Sequence, residues 1–382
     1  MRPSFLVFGV LYLAILNSCI KKHEHHLDVD FDTSFPGARL DSVIYNEEDN
    51  IYTAYINPAF EPVNESPWFA FGISSETKKE IRLELEYGKY KHRYIPKLSS
   101  DKKNWKTINA SNIEIDTISG NALIRLEVSQ DQLYVSAQEL ESSEATYQWL
   151  DTLINQKAFL SKEVAGRTVK NNEGYVLTSN NDLKKAVVLI ARQHPPEIPG
   201  GTIGFKAFYE TLLNDSQVAQ RFREKYNIIT FPLLNPDGAD AGNWRHNANG
   251  ADLNRDWQEF RQPETQMVKS YLNDKTSEGT EIEFAIDFHT SYSGPYLLVL
   301  DSINEQKTQK IIPNWIKDIE TGSSFKVEAR RRSQELPYCY NYFFNEYQSE
   351  AVTYEEGDEI DREIIKQRAI TYANSLMKTL IK

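Results

Sequence analysis

The chain has 382 residues, of which 40% are hydrophobic, 12% aromatic and 26% charged, as in a folded globular protein rather than a disordered or collagen-like chain. Acidic residues outnumber basic residues by 55 to 43, and the formal charge of -12 argues against nucleic acid as the main partner, since phosphate binding needs a net basic surface. The two cysteines, Cys19 and Cys339, are too few for a disulfide framework or a cysteine-rich metal site.

The N-terminus has the pattern of an export signal. A basic residue near the start is followed by residues 5–16, which are almost continuously apolar, and then by a polar stretch. This apolar run is shorter than the ~20 residues that a membrane-spanning helix needs. Ser18 directly before Cys19 resembles a bacterial lipobox. We therefore predict that residues 1–19 are a lipoprotein signal peptide and that Cys19 carries a lipid; a plain signal peptide with an incidental cysteine is the alternative.

Residues 20–30 are predicted to be a polar tether behind this anchor. They include His23, His25 and His26, which form either a metal-binding tract or, more simply, a solvated spacer. The protein is accordingly predicted to be exported and membrane-anchored, in the periplasm or at the cell surface of a bacterium.

Apolar and polar residues alternate in the next region, residues 31–138. The alternation is clear at residues 81–88 and 124–128, as expected of strands with one buried face. Polar turn clusters separate these runs, and no helical spacing occurs between them. The pattern indicates a small antiparallel β-sandwich domain. Four aromatic residues are expected in its core, although an aromatic carbohydrate-binding face is the alternative: Trp68, Phe69, Phe71 and Trp105.

Strands and helices alternate through the second predicted domain, residues 139–382. Helical spacing begins near Ser143, and the last helix is predicted to begin after Asp361 as N-cap. Further helices are predicted at residues 205–213 and 264–272, and strands at residues 186–190, 228–234, 282–288 and 351–354. This order predicts an α/β fold with a mixed, mostly parallel sheet flanked by helices, in which functional residues collect at the carboxyl ends of strands.

Three residues that follow predicted strands could bind one metal ion. His194 and Glu197 lie three apart on a tight turn, and zinc takes such nitrogen and oxygen ligands. His289 ends another strand and offers the third ligand. Two histidines and one glutamate, with the fourth position left to water, form a catalytic rather than a structural zinc site. The alternatives are a surface histidine beside a solvated glutamate, and a core histidine bonded to a backbone carbonyl.

A stretch rich in glycine and asparagine, residues 242–257, retains Arg245 and Arg255. The planar fork of arginine matches a carboxylate with two hydrogen bonds, and Asn254 beside Arg255 can complete such a clamp. Ion pairs that merely hold the loop are the alternative. Further on, Glu355 at the end of a strand can act as a general base, unless the acidic run that it begins is a surface turn.

Six short motifs occur in a fixed order: His-x-x-Glu from His194, Asn-Pro-Asp-Gly at 235–238, Arg245, Asp-Leu-Asn-Arg at 252–255, His289, and Thr-Tyr-Glu at 353–355. Together they resemble the zinc carboxypeptidase family of carboxypeptidase A, and most of all the subgroup of cytosolic carboxypeptidases and their bacterial relatives. The resemblance covers residues 143–382. Residues 66–71 and 86–88 are similar to the β-sandwich domain that precedes the catalytic domain in that subgroup.

The resemblance implies a role for seven residues: ligation of one Zn²⁺ by His194, Glu197 and His289, binding of the substrate's terminal carboxylate by Asn254 and Arg255, polarisation of the scissile carbonyl and stabilisation of its oxyanion by Arg245, and general-base catalysis by Glu355. It implies a zinc metallocarboxypeptidase, with peptide or protein C-termini as its partners, that hydrolyses the C-terminal peptide bond by metal-activated water. Glu355 is preferred to Glu356 because it directly follows Thr-Tyr and because neighbours on a strand point to opposite faces.

Several points stay open at this stage. Pro196 occupies a position where the family often has glycine, and the family's substrate-capping tyrosine has no secure match, although Tyr338 and Tyr340 lie in the right region. Residues 330–332, all arginine, either favour acidic C-terminal residues or form a solvated patch. The alternative functions are a peptidoglycan stem-peptide peptidase or amino-acid deacylase on the same fold, and a non-catalytic binding lipoprotein.

Overall fold

The computed structural model describes residues 28–62, 67–300 and 310–382. The predicted signal peptide, the lipid attachment site at Cys19 and the three tether histidines lie outside the described residues. None of the helices in the described ranges combines the length and the apolar character that crossing a membrane requires.

Two five-stranded sheets form the N-terminal region. Their strands are β1 (Val29–Asp32), β2 (Ser42–Asn46), β3 (Ile51–Tyr55), β4 (Ala70–Ser75), β5 (Lys79–Glu86), β6 (Lys97–Ser99), β7 (Lys106–Thr107), β8 (Ile113–Ile115), β9 (Ala122–Val128) and β10 (Leu133–Ser136). One sheet has the order β1-β4-β10-β6-β7 and the other β2-β3-β5-β9-β8. Neighbouring strands are antiparallel except β3 and β5, which run parallel. The predicted antiparallel sandwich ahead of the α/β region is thereby confirmed.

The core of the sandwich follows the alternation in the sequence. Along β5 the residues at alternate positions are buried, and Trp68, Phe69 and Phe71 are buried beside them. Trp105 differs from its prediction, since it is only half-buried and its indole N–H donates to the Lys102 carbonyl. The polar tether predicted for residues 20–30 also ends earlier than expected, because Val29 is buried and begins β1.

One eight-stranded sheet forms the centre of the C-terminal region. Its strands are β11 (Ser161–Arg167), β12 (Glu173–Thr178), β13 (Lys185–Ala191), β14 (Asn227–Phe231), β15 (Glu281–Ser291), β16 (Tyr296–Leu300), β17 (Ala329–Arg332) and β18 (Glu350–Gly357), in the order β11-β12-β14-β13-β15-β18-β16-β17. The central strands β14, β13, β15 and β18 are parallel. On one side of this centre β12 runs antiparallel to β14, and on the other side β16 runs antiparallel to β18 but parallel to β17. The strand predicted at residues 228–234 ends at Phe231, because Pro232 has no N–H to continue the ladder.

Helices cover both faces of this sheet: α1 (Ser143–Gln156), α2 (Phe205–Leu213), α3 (Gln217–Arg223), α4 (Pro236–Asp240), α5 (Pro263–Ser277), α6 (Ile311–Gly322), α7 (Cys339–Tyr347) and α8 (Arg362–Ile381). Val187 and Leu189 of β13 pack into one core with α1, α2, α3, α6 and α8. Val188 and Ile190 pack into a second core with α5 and α7. Because both faces of the sheet are covered, the sequences of its central strands are almost continuously apolar. The α/β class with flanking helices is confirmed.

Candidate functional site

A cleft of about 540 Å³ opens where β13, β15 and β18 end. All seven residues that the sequence singled out line this cleft: His194, Glu197, Arg245, Asn254, Arg255, His289 and Glu355. The structure therefore brings them together, although they span more than 160 positions of the chain. Their chemical roles stay predictions.

His194, Glu197 and His289 form the deepest part of the cleft. Each of the three is buried, and each offers a ligand atom within 4.8 Å of the others, as a shared metal ion requires. The Nδ1 atom of His194 lies 2.9 Å from Glu197 Oε1, and the Nδ1 atom of His289 lies 2.8 Å from Glu197 Oε2. The same carboxylate accepts a hydrogen bond from the backbone N–H of Thr290.

The hydrogen-bonding pattern around the two histidines calls for a cation. Each ring nitrogen of both histidines faces a carboxylate oxygen at 2.8–2.9 Å. A neutral imidazole has a single N–H and can donate to only one of its two carboxylates. When the Nε2 atoms donate to Asp252 and Asp287, both Nδ1 lone pairs converge with the Glu197 carboxylate on one point. A positive ion between these three groups removes their repulsion, and the nitrogen and oxygen donors suit zinc.

The pKa values of His289 and Glu197 also indicate that the site favours a positive charge. Burial by itself lowers the pKa of His289, but the carboxylates of Asp287 and Glu197 outweigh it and raise this pKa well above its usual value. Burial by itself raises the pKa of Glu197, but His194 and His289 outweigh it and lower this pKa. The centre of the site therefore favours positive charge.

Asp252 and Asp287 contact the Nε2 atoms of the two histidines, whose Nδ1 atoms face Glu197. Neither aspartate was given a role from the sequence. Asp252 faces His194 Nε2 at 2.8 Å and also accepts a 2.6 Å hydrogen bond from Arg245 Nε. Asp287 faces His289 Nε2 at 2.8 Å and accepts from the Gln193 amide at 2.7 Å. A signal for Asp287 exists in the sequence, because an acid inside an otherwise apolar strand, two residues before a histidine, needs a buried partner.

The loop that carries His194 and Glu197 packs directly on β15. A π-helix, Pro199–Gly204, follows the ligands, and such turns are frequent at functional sites. A Cβ at Gly200 would lie 1.7 Å from the His289 carbonyl oxygen, so that only glycine fits there. Gly200 also donates its N–H to the Thr290 hydroxyl at 2.8 Å. This close packing fixes the first two ligands relative to the third.

Glu355 lies beside the histidines because of strand register. In the parallel pair of β15 and β18, Glu355 is directly opposite His289. Its Oε2 atom is shielded from solvent and has no hydrogen-bond partner among the described residues, and removal of the carboxyl from water raises the pKa of Glu355 to about 8. Glu356 points to the other face, where it is buried and bonded to Arg368 and the Tyr354 hydroxyl. The alternation used to choose between the two glutamates is present in the structure.

The asparagine of Asn-Pro-Asp-Gly joins the ligand loop to the arginine loop. Asn235 is fully buried, and its amide donates to the carbonyls of Gln193 and His246, both at 3.1 Å. Its side-chain oxygen caps α4 by accepting from Gly238 N–H at 2.9 Å. This motif therefore supports the cleft without lining it.

Asn254 and Arg255 differ in their freedom. The Asn254 side chain is buried, and its oxygen accepts from the backbone N–H of Cys339 while its nitrogen lies 3.2 Å from His289 Nε2. The Arg255 side chain is 43% exposed, and its guanidinium lies 4.4 Å from the centre of the Tyr338 ring. Arg255 is thus free to meet a ligand, whereas Asn254 is held in place.

The rest of the cleft wall comes from residues that the sequence analysis left open or missed. Tyr338 lines the cleft, whereas Tyr340 is buried in the core. Among the three consecutive arginines, Arg332 lines the cleft, while Arg330 stacks on the Tyr296 ring at 3.7 Å. The remaining wall residues include two from the sandwich region, for which no sequence signal exists: His92, Arg93, Tyr292, Tyr296 and Leu298.

Comparison with known proteins agrees with this geometry. The profile of one protein family, described as zinc carboxypeptidase, matches residues 146–378, which is more than half of the chain. An uncharacterised protein of Zymomonas mobilis is 25% identical over 285 residues, covering 72% of this chain and 70% of that protein. Human cytosolic carboxypeptidase 2 is 32% identical over 149 residues, which cover 35% of this chain but only 16% of the human protein.

The same architecture occurs in a solved structure. A metallo-carboxypeptidase from Burkholderia cenocepacia superposes with a TM-score of 0.75 at 20% identity, over 93% of this chain and 98% of that protein. The shared fold therefore includes the N-terminal sandwich as well as the eight-stranded sheet.

The position of Asp287 generates a first prediction. Asp287→Asn removes the charge behind His289 while keeping the size of the side chain, and we expect zinc affinity to fall by about 10–100-fold, as is usual for groups that orient a metal ligand. Competition with a chromophoric chelator measures this. The matched control is Asp237→Asn, since Asp237 is also buried but bonds to Thr168 and Asn172. Equal zinc affinity in Asp287→Asn and the unsubstituted protein would contradict the role of Asp287.

Proposed function

Because the chain belongs to the zinc carboxypeptidase family, whose members hydrolyse peptide bonds with zinc, we propose that it is a metallocarboxypeptidase that removes C-terminal residues from peptides or proteins. One observation carries the proposal: a three-residue metal site, four arginines and a glutamate with one oxygen unpaired among the described residues line one cleft. A non-catalytic binding protein has no need for this combination.

The residues present fit the metal. His194, Glu197 and His289 would hold the zinc ion, with Asp252 and Asp287 fixing the two imidazole rings. When bound, zinc supplies a Lewis acid that polarises the scissile carbonyl and makes a water molecule a stronger nucleophile.

The substrate's terminal carboxylate is proposed to bind Arg255. The guanidinium offers two parallel donors to a carboxylate, and the exposed position of Arg255 lets a peptide end reach it. Asn254 completes this end of the cleft and, being held by Cys339 and His289, loses little conformational entropy on binding. A peptide bound in this way places its last peptide bond towards the metal site.

Arg245 is proposed to stabilise the oxyanion that develops on the scissile carbonyl. Its Nε donates to Asp252, which also faces His194, so the guanidinium is oriented before substrate arrives. Preorganised donors of this kind act where charge develops and need no reorganisation during the reaction.

Glu355 is proposed to move the proton. The positive charge of a bound zinc ion would lower the pKa of Glu355 and keep it a carboxylate at neutral pH. This carboxylate accepts a proton from the attacking water, and the carboxyl then gives that proton to the nitrogen of the departing amino acid. Its shielded, unpaired Oε2 atom is available for this transfer. The products are a peptide shortened by one residue and a free amino acid.

We further propose that the enzyme is exported and held at a bacterial membrane by a lipid on Cys19, on the support of the sequence pattern at residues 1–19. Its substrates would then be peptides outside the cytoplasm, which include cell-wall peptides.

Activity is tested first on a mixed pool of peptides with different C-terminal residues, to which muropeptides are added. Mass spectrometry should show stepwise loss of C-terminal residues, and a zinc chelator should abolish it because the ion polarises the carbonyl. Cleavage of muropeptides alone would change the substrate class and keep the metal site. If the zinc-loaded protein cleaves nothing in the pool, the carboxypeptidase proposal is contradicted.

The general-base assignment is tested by a pair of neighbours. Glu355→Gln should bind zinc normally yet lose turnover by about 10²–10⁴-fold, since an amide cannot accept the proton. Glu356→Gln is the matched control: it should lower the free energy of unfolding by about 2 kcal/mol through its bond to Arg368 and keep kcat. The reverse pattern would assign the base to Glu356.

Lipid attachment is tested by Cys19→Ala. The unsubstituted protein should take up labelled fatty acid in a bacterial host and sediment with membranes, whereas Cys19→Ala should do neither, because the thiol that would carry the lipid is gone. Cys339→Ala replaces the other cysteine, which is buried, and should behave like the unsubstituted protein. Equal labelling of Cys19→Ala would exclude the proposed anchor.

A further inference from the structure

The sandwich region contributes two residues to the cleft wall, His92 and Arg93, and the arginine side chain is buried. Arg93 follows β5 in the sequence, lines the cleft and has a side chain only 7% exposed. Its Nε and Nη2 atoms donate to the two carboxylate oxygens of Asp358 at 2.7 and 3.0 Å. Asp358 is itself buried and lies three residues beyond Glu355, at the end of β18. A bidentate, buried pair of this kind fixes both partners in direction as well as distance.

The same guanidinium holds the loop that carries Arg245. It lies 4.8 Å from the ring centre of Trp244 and 4.8 Å from that of Tyr94, and the two rings meet edge to face at 5.6 Å. Trp244 directly precedes Arg245, is buried, and packs into the hydrophobic core of the sandwich rather than into either core of the eight-stranded sheet. The Arg245 loop is therefore anchored in the N-terminal region.

Other close contacts show that this anchoring is extensive. A Cβ at Gly242 would lie 2.9 Å from the Gly37 carbonyl oxygen, so the loop backbone packs directly on the sandwich. Phe60 also meets the His246 ring at 5.9 Å. The sandwich thus contacts the loop at Gly242, Trp244 and His246, and Arg93 links the loop to β18.

The segment that carries Arg93 is itself well supported. Tyr87 and Tyr94 on either side of it are buried, and the Tyr87 hydroxyl bonds to His92 Nδ1 at 3.0 Å. The backbone N–H of His92 also donates to the Gly120 carbonyl at 2.7 Å. Arg93 therefore projects from a rigid support, as a positioning residue requires.

We propose that Arg93 is a positioning residue of the active site, which holds the Arg245 loop and the Glu355 end of β18 in register, so that the catalytic cleft is complete only when the sandwich is docked. The inference rests on the proposed function, because it takes Arg245 and Glu355 as the residues that act on the substrate. It assigns the sandwich a direct part in catalysis.

Arg93→Met tests the inference, because methionine fills much of the same space without the charge or the fork. We expect kcat/KM to fall by about 10–100-fold, chiefly through kcat, as small misplacements of catalytic groups have effects of this size. Zinc affinity should change much less than kcat/KM, since within the described residues Arg93 donates to Asp358 and to none of the three metal ligands, although the charge of Glu197 acts on it. Hydrogen exchange should become faster in residues 242–256 and 354–360.

The matched control is Arg362→Met. Arg362 also makes a two-bond ion pair, with Glu139 at 2.8 and 3.0 Å, and it reaches the sandwich region by donating to the Gln138 side chain at 2.6 Å. It donates to the Asp358 backbone carbonyl at 2.9 Å as well, but it does not line the cleft. This variant should lose stability, retain kcat/KM and leave exchange in residues 242–256 unchanged. Arg93→Lys keeps one charged hydrogen bond to Asp358, so its kcat/KM should lie between those of Arg93→Met and the unsubstituted enzyme. This variant keeps the inference testable if Arg93→Met does not fold.

Two results would overturn the inference. One is equal kinetics and equal exchange in Arg93→Met and Arg362→Met. The other is an increase in KM alone with unchanged exchange, which would make Arg93 a substrate contact. Failure of the proposed function is separate, because it appears as an unsubstituted, zinc-loaded enzyme that cleaves nothing, whereas the exchange comparison needs no substrate and still decides on Arg93.

Discussion

Negative charge collected around two histidines is the constraint on which the rest of the site depends. Glu197, Asp252 and Asp287 each place an oxygen within 2.8–2.9 Å of an imidazole nitrogen. Carboxylates removed from water are costly unless they are paired, and two neutral imidazoles cannot satisfy all the oxygens that face them. A cation at the centre resolves this imbalance, which couples metal binding to the stability of the cleft.

The scaffold meets this constraint through the register of parallel strands. Because β13, β15 and β18 end at one edge, their last residues reach the same point, and pairing places Glu355 directly beside His289. The ligand loop can close on this edge only because Gly200 has no side chain to strike the His289 carbonyl. The register of the strands therefore sets the geometry of the site, and the ligand loop can pack on the sheet because it has glycine at the point of closest approach.

Local sequence patterns predicted the four central strands of this sheet, β14, β13, β15 and β18, and the residues at its centre. The strand at β13, the helices α2 and α8 and the Asp361 N-cap depend on neighbours along the chain, so periodicity and capping reveal them. The hairpin of β11 and β12 was not predicted, because several residues of β11 are exposed and it lacks a clear apolar alternation. The motif residues could be found because each one follows a strand with a clear apolar pattern or lies in a Gly- and Asn-rich stretch that also contains arginines.

Residues whose partners lie far away in the sequence could not be predicted in this way. Arg93 and Asp358 are 265 positions apart, and nothing near either residue indicates the other. Tyr338 and Tyr340 are equally placed by sequence, and only the packing of α7 decides that the first faces the cleft while the second is buried. Such contacts are set by tertiary docking, which a local pattern does not encode.

The distribution of charge in the cleft supports the proposal that this acidic protein receives the carboxylate end of a peptide. The chain has a formal charge of -12, yet arginines line the cleft, among them Arg93, Arg245, Arg255 and Arg332. Two acidic groups of the site are already matched, since Asp252 faces His194 and Arg245, and Asp358 faces Arg93, whereas Glu355 keeps an oxygen without a hydrogen-bond partner among the described residues. The field that a ligand meets in a cleft is set by the charges that remain unmatched there and not by the net charge of the chain. The exposed guanidinium of Arg255 is only weakly matched, because it lies 4.0 Å from an Asp252 oxygen that Arg245 already bonds, and this supports its proposed part in binding the substrate's carboxylate.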